Sequence, residues 1–287
     1  MALLTLYLKQ NPFPMAESSI LWLRVAVCLY FIGLVDAIVT ILRRRETFFR
    51  VAAGAFSIGA MFHLVSLVEQ GLAMRHFPAT DILESMSFCG LIVATTFLAI
   101  RWRYRDEAAS LSVFIFPLVF LMTFMAALRS PVATWSSETA RGTWLIIHIV
   151  AELLGYAALL FTSIGSVLYL IQERQLKRKI IPSVYRMLPP LGTLDDMILK
   201  SLSAGFLFIT IGVIIAIVWA FIEHGTRWIG NSSITLSFVT WGVYLALVFF
   251  RVSAGWRGRK AAILSLVALA FCAITWAAHA GLQNRLL

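Results

Sequence analysis

The sequence predicts an all-α integral membrane protein, a bundle of about eight transmembrane helices with both termini on the outer, extracytoplasmic side. Of its 287 residues, 60% are hydrophobic and only 13% are charged, which leaves too little polar surface for a soluble domain of this length. Several apolar runs exceed the roughly 18–20 residues that cross a bilayer as a helix. The basic residues occur in short clusters between these runs, as they do in membrane proteins.

Eight apolar runs are the predicted spans. A helix suits each of them because it satisfies its own backbone hydrogen bonds, which lipid cannot do. No soluble domain or internal repeat interrupts the pattern, so we predict one transmembrane domain over residues 1–287. The spans cover residues 20–42, 51–74, 82–100, 111–128, 143–170, 198–222, 234–250 and 261–280.

The basic residues fix the predicted orientation. Loops after odd-numbered spans hold most of the Lys and Arg, whereas the other loops and the termini hold six, and the richer side is expected to be cytoplasmic. The cytoplasmic loop of about 171–199 begins as a polar extension of the fifth helix, and Pro189-Pro190 then stops any helix. The richer set is Arg43, Arg44, Arg45, Arg50, Arg101, Arg103, Arg105, Arg174, Lys177, Arg178, Lys179, Arg186, Lys200, Arg251, Arg257, Arg259 and Lys260.

The positions of the basic residues and of the cysteines disfavour two other interpretations, nucleic-acid binding and a disulfide or metal site. The net charge of +10 could indicate nucleic-acid binding, but its distribution matches membrane orientation and contact with lipid headgroups instead. The three cysteines, Cys28, Cys89 and Cys272, all lie inside apolar runs without a Cys-x-x-Cys pair. They are interpreted as small apolar residues and not as disulfides or metal ligands.

Histidines are the candidate ligands. Imidazole commonly binds haem iron and several transition metals. His148 lies about one turn into the fifth span from outside and His279 at the outer end of the eighth. For both, a ligand role and a packing role stay open. His63 is near mid-membrane in the second span, where a polar ring usually faces a cavity or a partner.

Three further residues join this candidate site. Glu152 follows His148 by one helical turn on the same face, so it could orient the imidazole or raise its basicity, or bind a neighbouring helix. Trp144 and Trp228 map to the outer half of the membrane. They fit an interfacial aromatic belt, and they could also contact a flat ligand such as a porphyrin.

Several segments, in order, resemble the CcsA/CcmC/ResC-type cytochrome c assembly family. The longest is Thr143-Trp-Leu-Ile-Ile-His148 with Leu154-Gly-Tyr156 and the basic extension ending at Lys177. Others are Leu188-Pro-Pro-Leu-Gly-Thr-Leu-Asp195, Asp81-Ile-Leu-Glu-Ser85, Val239-Thr-Trp241 and Gly255-Trp-Arg-Gly-Arg259. The resemblance implies haem handling at the outer face of a bacterial cytoplasmic membrane during haem attachment to apocytochrome c. His148 matches the first external haem ligand, and His279 lies in the region of the second.

The chain departs from this family where a tryptophan-rich haem loop is expected. Residues 223–233 hold one tryptophan, Trp228, and lack the Trp-Gly-x-x-Trp-x-Trp-Asp pattern. The sequence is therefore more similar to the YpjD/HemX-like branch, and enzymatic activity stays open. The leading hypothesis is a haem-interacting assembly factor working with apocytochrome c and another assembly membrane protein. The alternative is a non-catalytic regulator or scaffold that binds a cytoplasmic partner.

Overall fold

The computed structural model describes residues 13–43, 46–74, 77–79, 82–104, 109–128, 143–178, 189–224 and 232–283. These residues form eight α-helices, and none of them lies in a β-strand. The helices are α1 (Phe13–Arg43), α2 (Glu46–Met74), α3 (Ile82–Tyr104), α4 (Ala109–Ala127), α5 (Thr143–Lys177), α6 (Leu191–His224), α7 (Ser232–Val252) and α8 (Arg259–Gln283).

The predicted all-helical class is confirmed, and the eight predicted spans correspond one to one to these helices. α5 continues past its apolar span to Lys177, which confirms the predicted polar extension. α6 begins at Leu191, directly after Pro189-Pro190, so its first two turns precede the predicted apolar span. The amide of Leu194 donates to the carbonyl of Pro190 at 3.0 Å. The two prolines fit this place because proline can precede a helix although it cannot continue one.

Six of these helices are long and apolar enough to cross a membrane. α4 is apolar but shorter, over Leu111–Ala127, and α8 is not among the six. These stretches make the chain a multi-pass membrane protein, whereas the count of eight spans and the side on which the termini lie stay predictions. The six stretches are Ser18–Val39, Phe49–Met74, Ile82–Arg103, Thr143–Lys177, Leu191–Trp219 and Thr235–Val252.

Contacts within the chain group it into two compact units, Met1–Arg141 and Gly142–Leu287. In unit 1, α1 packs on α2 and α4, and α3 packs on α2 and α4. In unit 2, α5 packs on α6 and α8, while α7 packs on α6 and α8. The single domain over 1–287 stays a prediction.

An aromatic cluster fills the interior of unit 1. Phe56 of α2 is fully buried. Its ring stacks on Phe116 of α4 with centroids 4.1 Å apart and meets Phe97 of α3 edge-on at 5.7 Å. Tyr30 of α1 packs against the same ring at 4.9 Å. One side chain thus joins all four helices of the unit, as expected where helices in lipid associate mainly by close packing.

In unit 2, α5 and α6 approach closely through glycine. A Cβ atom on Gly155 of α5 would collide with the side chain of Ile209 of α6, and one on Gly212 of α6 would lie 2.9 Å from Cγ of Glu152. Both are closer than side chains tolerate, so glycine is required for this approach. Small residues allow the backbones of membrane helices to come together in this way.

A largely buried ion pair lies at the end of unit 2 where α6 begins and α7 ends. Nη2 of Arg251 lies 2.7 Å from the Asp195 carboxylate, and the guanidinium also donates to the carbonyls of Asp195 and Trp256. The α7–α8 turn has positive φ at Gly255 and Gly258, where glycine is the residue without a steric penalty. The pair therefore joins the start of α6, the end of α7 and the turn before α8.

Candidate functional site

One face of α5, near its first residue, carries the candidate site. Trp144, His148 and Glu152 follow one another at intervals of one helical turn, so their side chains share that face. Trp144 is 59% exposed, whereas the side chains of His148 and Glu152 are 21% and 24% exposed. The predicted shared face of His148 and Glu152 is seen in the structure, and Trp144 lies one turn earlier, whereas a common binding site at this end of unit 2 stays a prediction.

The His148 ring is held by a helix other than its own. Its Nδ1 lies 2.9 Å from the carbonyl oxygen of Gly212 in α6. A carbonyl only accepts hydrogen bonds, so the proton of this bond belongs to Nδ1. In the neutral ring Nε2 then carries the lone pair. Metal-binding histidines characteristically donate their other N–H to a carbonyl or carboxylate in this manner.

Glu152 lies beside the other nitrogen. Its Oε1 is 3.8 Å from Nε2 of His148, which is too far for a hydrogen bond. The sequence left three roles open for Glu152, namely to orient the imidazole, to raise its basicity or to bind a neighbouring helix, and these stay predictions. In the structure the direct hydrogen bond to the ring comes from Gly212, and the Glu152 carboxyl group lies beside the nitrogen that would bind a metal.

The interior below this face is apolar and densely packed. Tyr156, one turn after Glu152, packs against a cluster that holds Leu159, Ile209 and Cys272. Among the described residues, the buried hydroxyl of Tyr244 in the same cluster has no hydrogen-bond partner. A ligand of His148 is therefore expected to approach from the end of the bundle that carries Trp144.

The register of α8 against α5 bears on the second candidate histidine. Gly258, directly before α8, lies beside Tyr169 of α5, and further along α8 the cluster containing Cys272 packs against Tyr156. The two helices are thus antiparallel. Continuing this register for about two more turns brings the backbone of position 279 level with position 148. The side chain of His279 lies outside the described part of the structure, as does Trp228.

His63 is in unit 1, and it joins three helices. The ring is fully buried. Its Nε2 lies 2.9 Å from Oγ of Ser87 in α3, and its Nδ1 lies 3.3 Å from Oη of Tyr30 in α1. The partners of this imidazole are therefore two protein hydroxyl groups, one at each ring nitrogen. A cofactor contact at His63 stays a prediction, for which one of these bonds would have to break.

The donor set at His148 fits a haem group. Across the described residues, no three or more His, Cys, Asp or Glu side chains gather to hold a metal ion. His148 offers a single nitrogen, fixed through its other N–H and partly exposed. Haem iron takes its equatorial ligands from the porphyrin and needs only axial ligands from the protein. The exposed ring of Trp144, one turn away, could contact the porphyrin.

Two residues of the site, Gly212 and Trp241, were not predicted from the sequence. Gly212 was identifiable only as one of several small residues that permit helix packing. The indole Nε1 of Trp241 in α7 donates to Thr210 Oγ1 at 3.1 Å, which fixes α6 two residues before Gly212. Trp241 belongs to the Val239-Thr-Trp241 segment that resembles the assembly family, but its partner could not be read from one sequence.

The chain is similar to known proteins along most of its length. Residues 79–277 match the family described as cytochrome C assembly protein. The chain is 23% identical over 284 residues to the cytochrome c biogenesis protein CcsA of Guillardia theta, covering 92% of this chain and 91% of that protein. It is 28% identical over 244 residues to the protein of the same name from Prochlorococcus marinus strain NATL2A, with 73% and 75% covered. A third relative of that name, from Synechococcus sp. strain CC9311, is 28% identical over 230 residues, with 69% and 75% covered.

Proposed function

Because the chain belongs to the cytochrome c assembly protein family, we propose that it is a membrane factor that handles haem for delivery to apocytochrome c. The observation that carries this proposal is the state of the His148 ring. Its Nδ1 proton is bound by the carbonyl of Gly212, and among the described residues its Nε2 has no hydrogen-bond partner, with the Glu152 carboxyl group 3.8 Å away. This is the arrangement that an axial haem ligand needs.

The rest of the site supports the same ligand. His279 is proposed as the second metal ligand, because the antiparallel register brings its backbone level with that of His148. Trp144 and Trp228 are proposed to contact the flat porphyrin, for which aromatic rings provide apolar surface. Glu152 is proposed to influence the electrostatics of the iron-binding nitrogen. No catalytic residue is proposed, and the chemistry of haem attachment is left to a partner.

The proposed location is a bacterial cytoplasmic membrane with the His148 end facing outward. The asymmetry of basic residues supports this orientation. The Asp195–Arg251 end of unit 2 would then face the cytoplasm, and lipid would surround the exposed apolar side chains. Apocytochrome c and another assembly membrane protein are the proposed partners at the outer face.

The test is the absorption spectrum of the protein purified from haem-replete cells, alone and with the candidate partners co-expressed. We expect a haem spectrum that His148→Ala abolishes or alters while membrane abundance stays near wild type. Ile147→Ala is the matched control, because Ile147 is exposed and adjacent to His148 on the same helix. A protein that never carries haem, or a His148→Ala spectrum identical to that of wild type, contradicts the proposal.

The second candidate is a regulator or scaffold that binds a cytoplasmic enzyme. One observation favours it: α5 extends to Lys177 beyond its apolar span, and Arg174, Leu176 and Lys177 are exposed there. Crosslinking followed by pull-down should then recover a cytoplasmic protein from wild type but not from a variant with Arg174 and Lys177 changed to Ser. Recovery of outer-face proteins alone rejects this function.

A further inference from the structure

The backbone of α6 orients the His148 ring through a carbonyl group. The Gly212 carbonyl accepts the Nδ1 proton at 2.9 Å, whereas the nearest carboxylate, Glu152, is 3.8 Å from Nε2. A ring free to flip could offer either nitrogen to a metal. A ring with one nitrogen committed to a fixed carbonyl offers only the other.

We infer that Gly212 is the positioning residue of this site, and that its carbonyl selects Nε2 of His148 as the nitrogen offered to iron. The inference rests on the proposed haem function. It adds the residue that orients the ligand and the hydrogen bond through which that residue acts.

A glycine is needed at this position because the carbonyl must come close to α5. A Cβ on residue 212 would lie 2.9 Å from Cγ and 3.5 Å from the backbone nitrogen of Glu152. Glu152 is one turn from His148, so a methyl group there would displace either Glu152 or the α6 backbone. A shift of the α6 backbone, or of the α5 turn that carries both Glu152 and His148, changes the distance between the carbonyl and Nδ1.

The segment that presents the carbonyl is also held from its other side. Two residues earlier, Thr210 accepts the indole proton of Trp241 at 3.1 Å, and the Trp241 ring stacks with Phe206 at a centroid distance of 6.4 Å. Helix α6 is therefore fixed between α5 and α7 at the level of Gly212. Such support is what a precisely placed ligand requires.

The first experiment replaces the histidine ring by ligands that differ in one proton. In His148→Gly protein supplied with haem together with the added imidazole, 4-methylimidazole reproduces the missing side chain and keeps an N–H for the carbonyl. 1-Methylimidazole carries the same number of methyl groups but has no N–H. We expect 4-methylimidazole to bind the iron about tenfold more tightly, in line with the loss of an outer hydrogen-bond partner. Equal affinities, or tighter binding of 1-methylimidazole, overturn the inference.

The second experiment keeps His148, and its first measurement needs no haem. Nitrogen-15 NMR of histidine-labelled protein, with His148 assigned by comparison with His148→Ala, should show the Nδ1–H tautomer. Gly212→Ala should weaken this preference and shift the haem spectrum of the loaded protein. The control Gly165→Ala places a Cβ 3.0 Å from Ile198 Cγ1 at the same α5–α6 interface, and it should leave both signals unchanged.

These readouts separate the two possible failures. A wild-type protein that binds no haem but shows the Nδ1–H tautomer, sensitive to Gly212→Ala, rejects the haem function and keeps the positioning contact. A haem-loaded protein whose tautomer and spectrum do not change in Gly212→Ala, at normal abundance, rejects the positioning role alone. If His148→Gly protein does not accumulate, the Gly212→Ala measurements decide the inference.

Discussion

Two ion pairs of equal length in unit 2 should differ several-fold in their contribution to stability. Arg251 lies 2.7 Å from Asp195, with side chains 3% and 25% exposed. Lys200 lies 2.7 Å from Asp196, with side chains 65% and 51% exposed. The distances are the same, so any difference between the effects of Arg251→Ala and Lys200→Ala reflects burial and the additional hydrogen bonds of the arginine.

The expected magnitudes follow from these environments. Removing one partner of a buried pair costs about 3–5 kcal/mol because the remaining charge stays unpaired. Arg251→Ala should fall near 3 kcal/mol, since Asp195 keeps a quarter of its surface exposed, although the carbonyls of Asp195 and Trp256 also lose a donor. Lys200→Ala should cost about 0.3–0.5 kcal/mol, as exposed pairs one helical turn apart do.

The assay is the free energy of unfolding in mixed micelles during an SDS titration. The double variant Asp195→Asn/Arg251→Leu should recover part of the loss, because it removes the uncompensated carboxylate together with its partner. An Arg251→Ala variant that is destabilised no more than Lys200→Ala would refute the assigned effect of burial. A double variant that costs the full sum of Asp195→Asn and Arg251→Leu, each measured alone, would refute it as well.

Three further predictions concern unit 1 and the topology. Tyr30→Phe and Ser87→Ala should each lower the free energy of unfolding by about 0.6 kcal/mol, a typical value for hydrogen bonds between membrane helices, and leave any haem spectrum unchanged; a changed spectrum would make His63 part of the haem site. Phe56→Ala should lower the free energy of unfolding by about 3 kcal/mol through the cavity it leaves. The control Phe31→Ala removes a ring that is about half exposed, so it should cost less than 1 kcal/mol. Equal costs would contradict the assigned core. Cysteines introduced at Ser136 and Ser232 should react with an impermeant thiol reagent added to intact cells, and one at Ser183 should not; the reverse labelling would invert the predicted topology.

Helix positions were predictable because a span needs only a long enough apolar run, which is a local property of the sequence. The His148–Glu152 pair was predictable for the same reason, since a spacing of one turn fixes a shared face within a single helix. The partner of His148 was not, because Gly212 is 64 positions away along the chain. Which backbone carbonyl meets a side chain depends on how two helices cross, and no local pattern specifies that.

Glu84 shows the same limit from another direction. Glu84 lies in the first turn of α3, where an acidic side chain is favoured by the exposed backbone amides of a helix start. The Glu84 side chain is buried and accepts a hydrogen bond from Gln70 of α2 at 2.9 Å. The position of Glu84 in a first turn follows from the local sequence, but its contact with α2 is a property of the tertiary packing.

The contrast between His63 and His148 gives a criterion that sequence position alone does not supply. Both are imidazoles in apolar helices, where an unpaired polar group is costly. At His63 two hydroxyls engage both nitrogens, so the cost is met within the protein and no binding capacity remains. At His148 a carbonyl engages one nitrogen, and among the described residues the other nitrogen, partly exposed, has no hydrogen-bond partner. An imidazole that is fixed but only half satisfied is suited to bind an external ligand, whereas one that is fully satisfied is suited to join helices. The number of hydrogen bonds still available to each ring therefore favours His148 over His63 as the haem ligand.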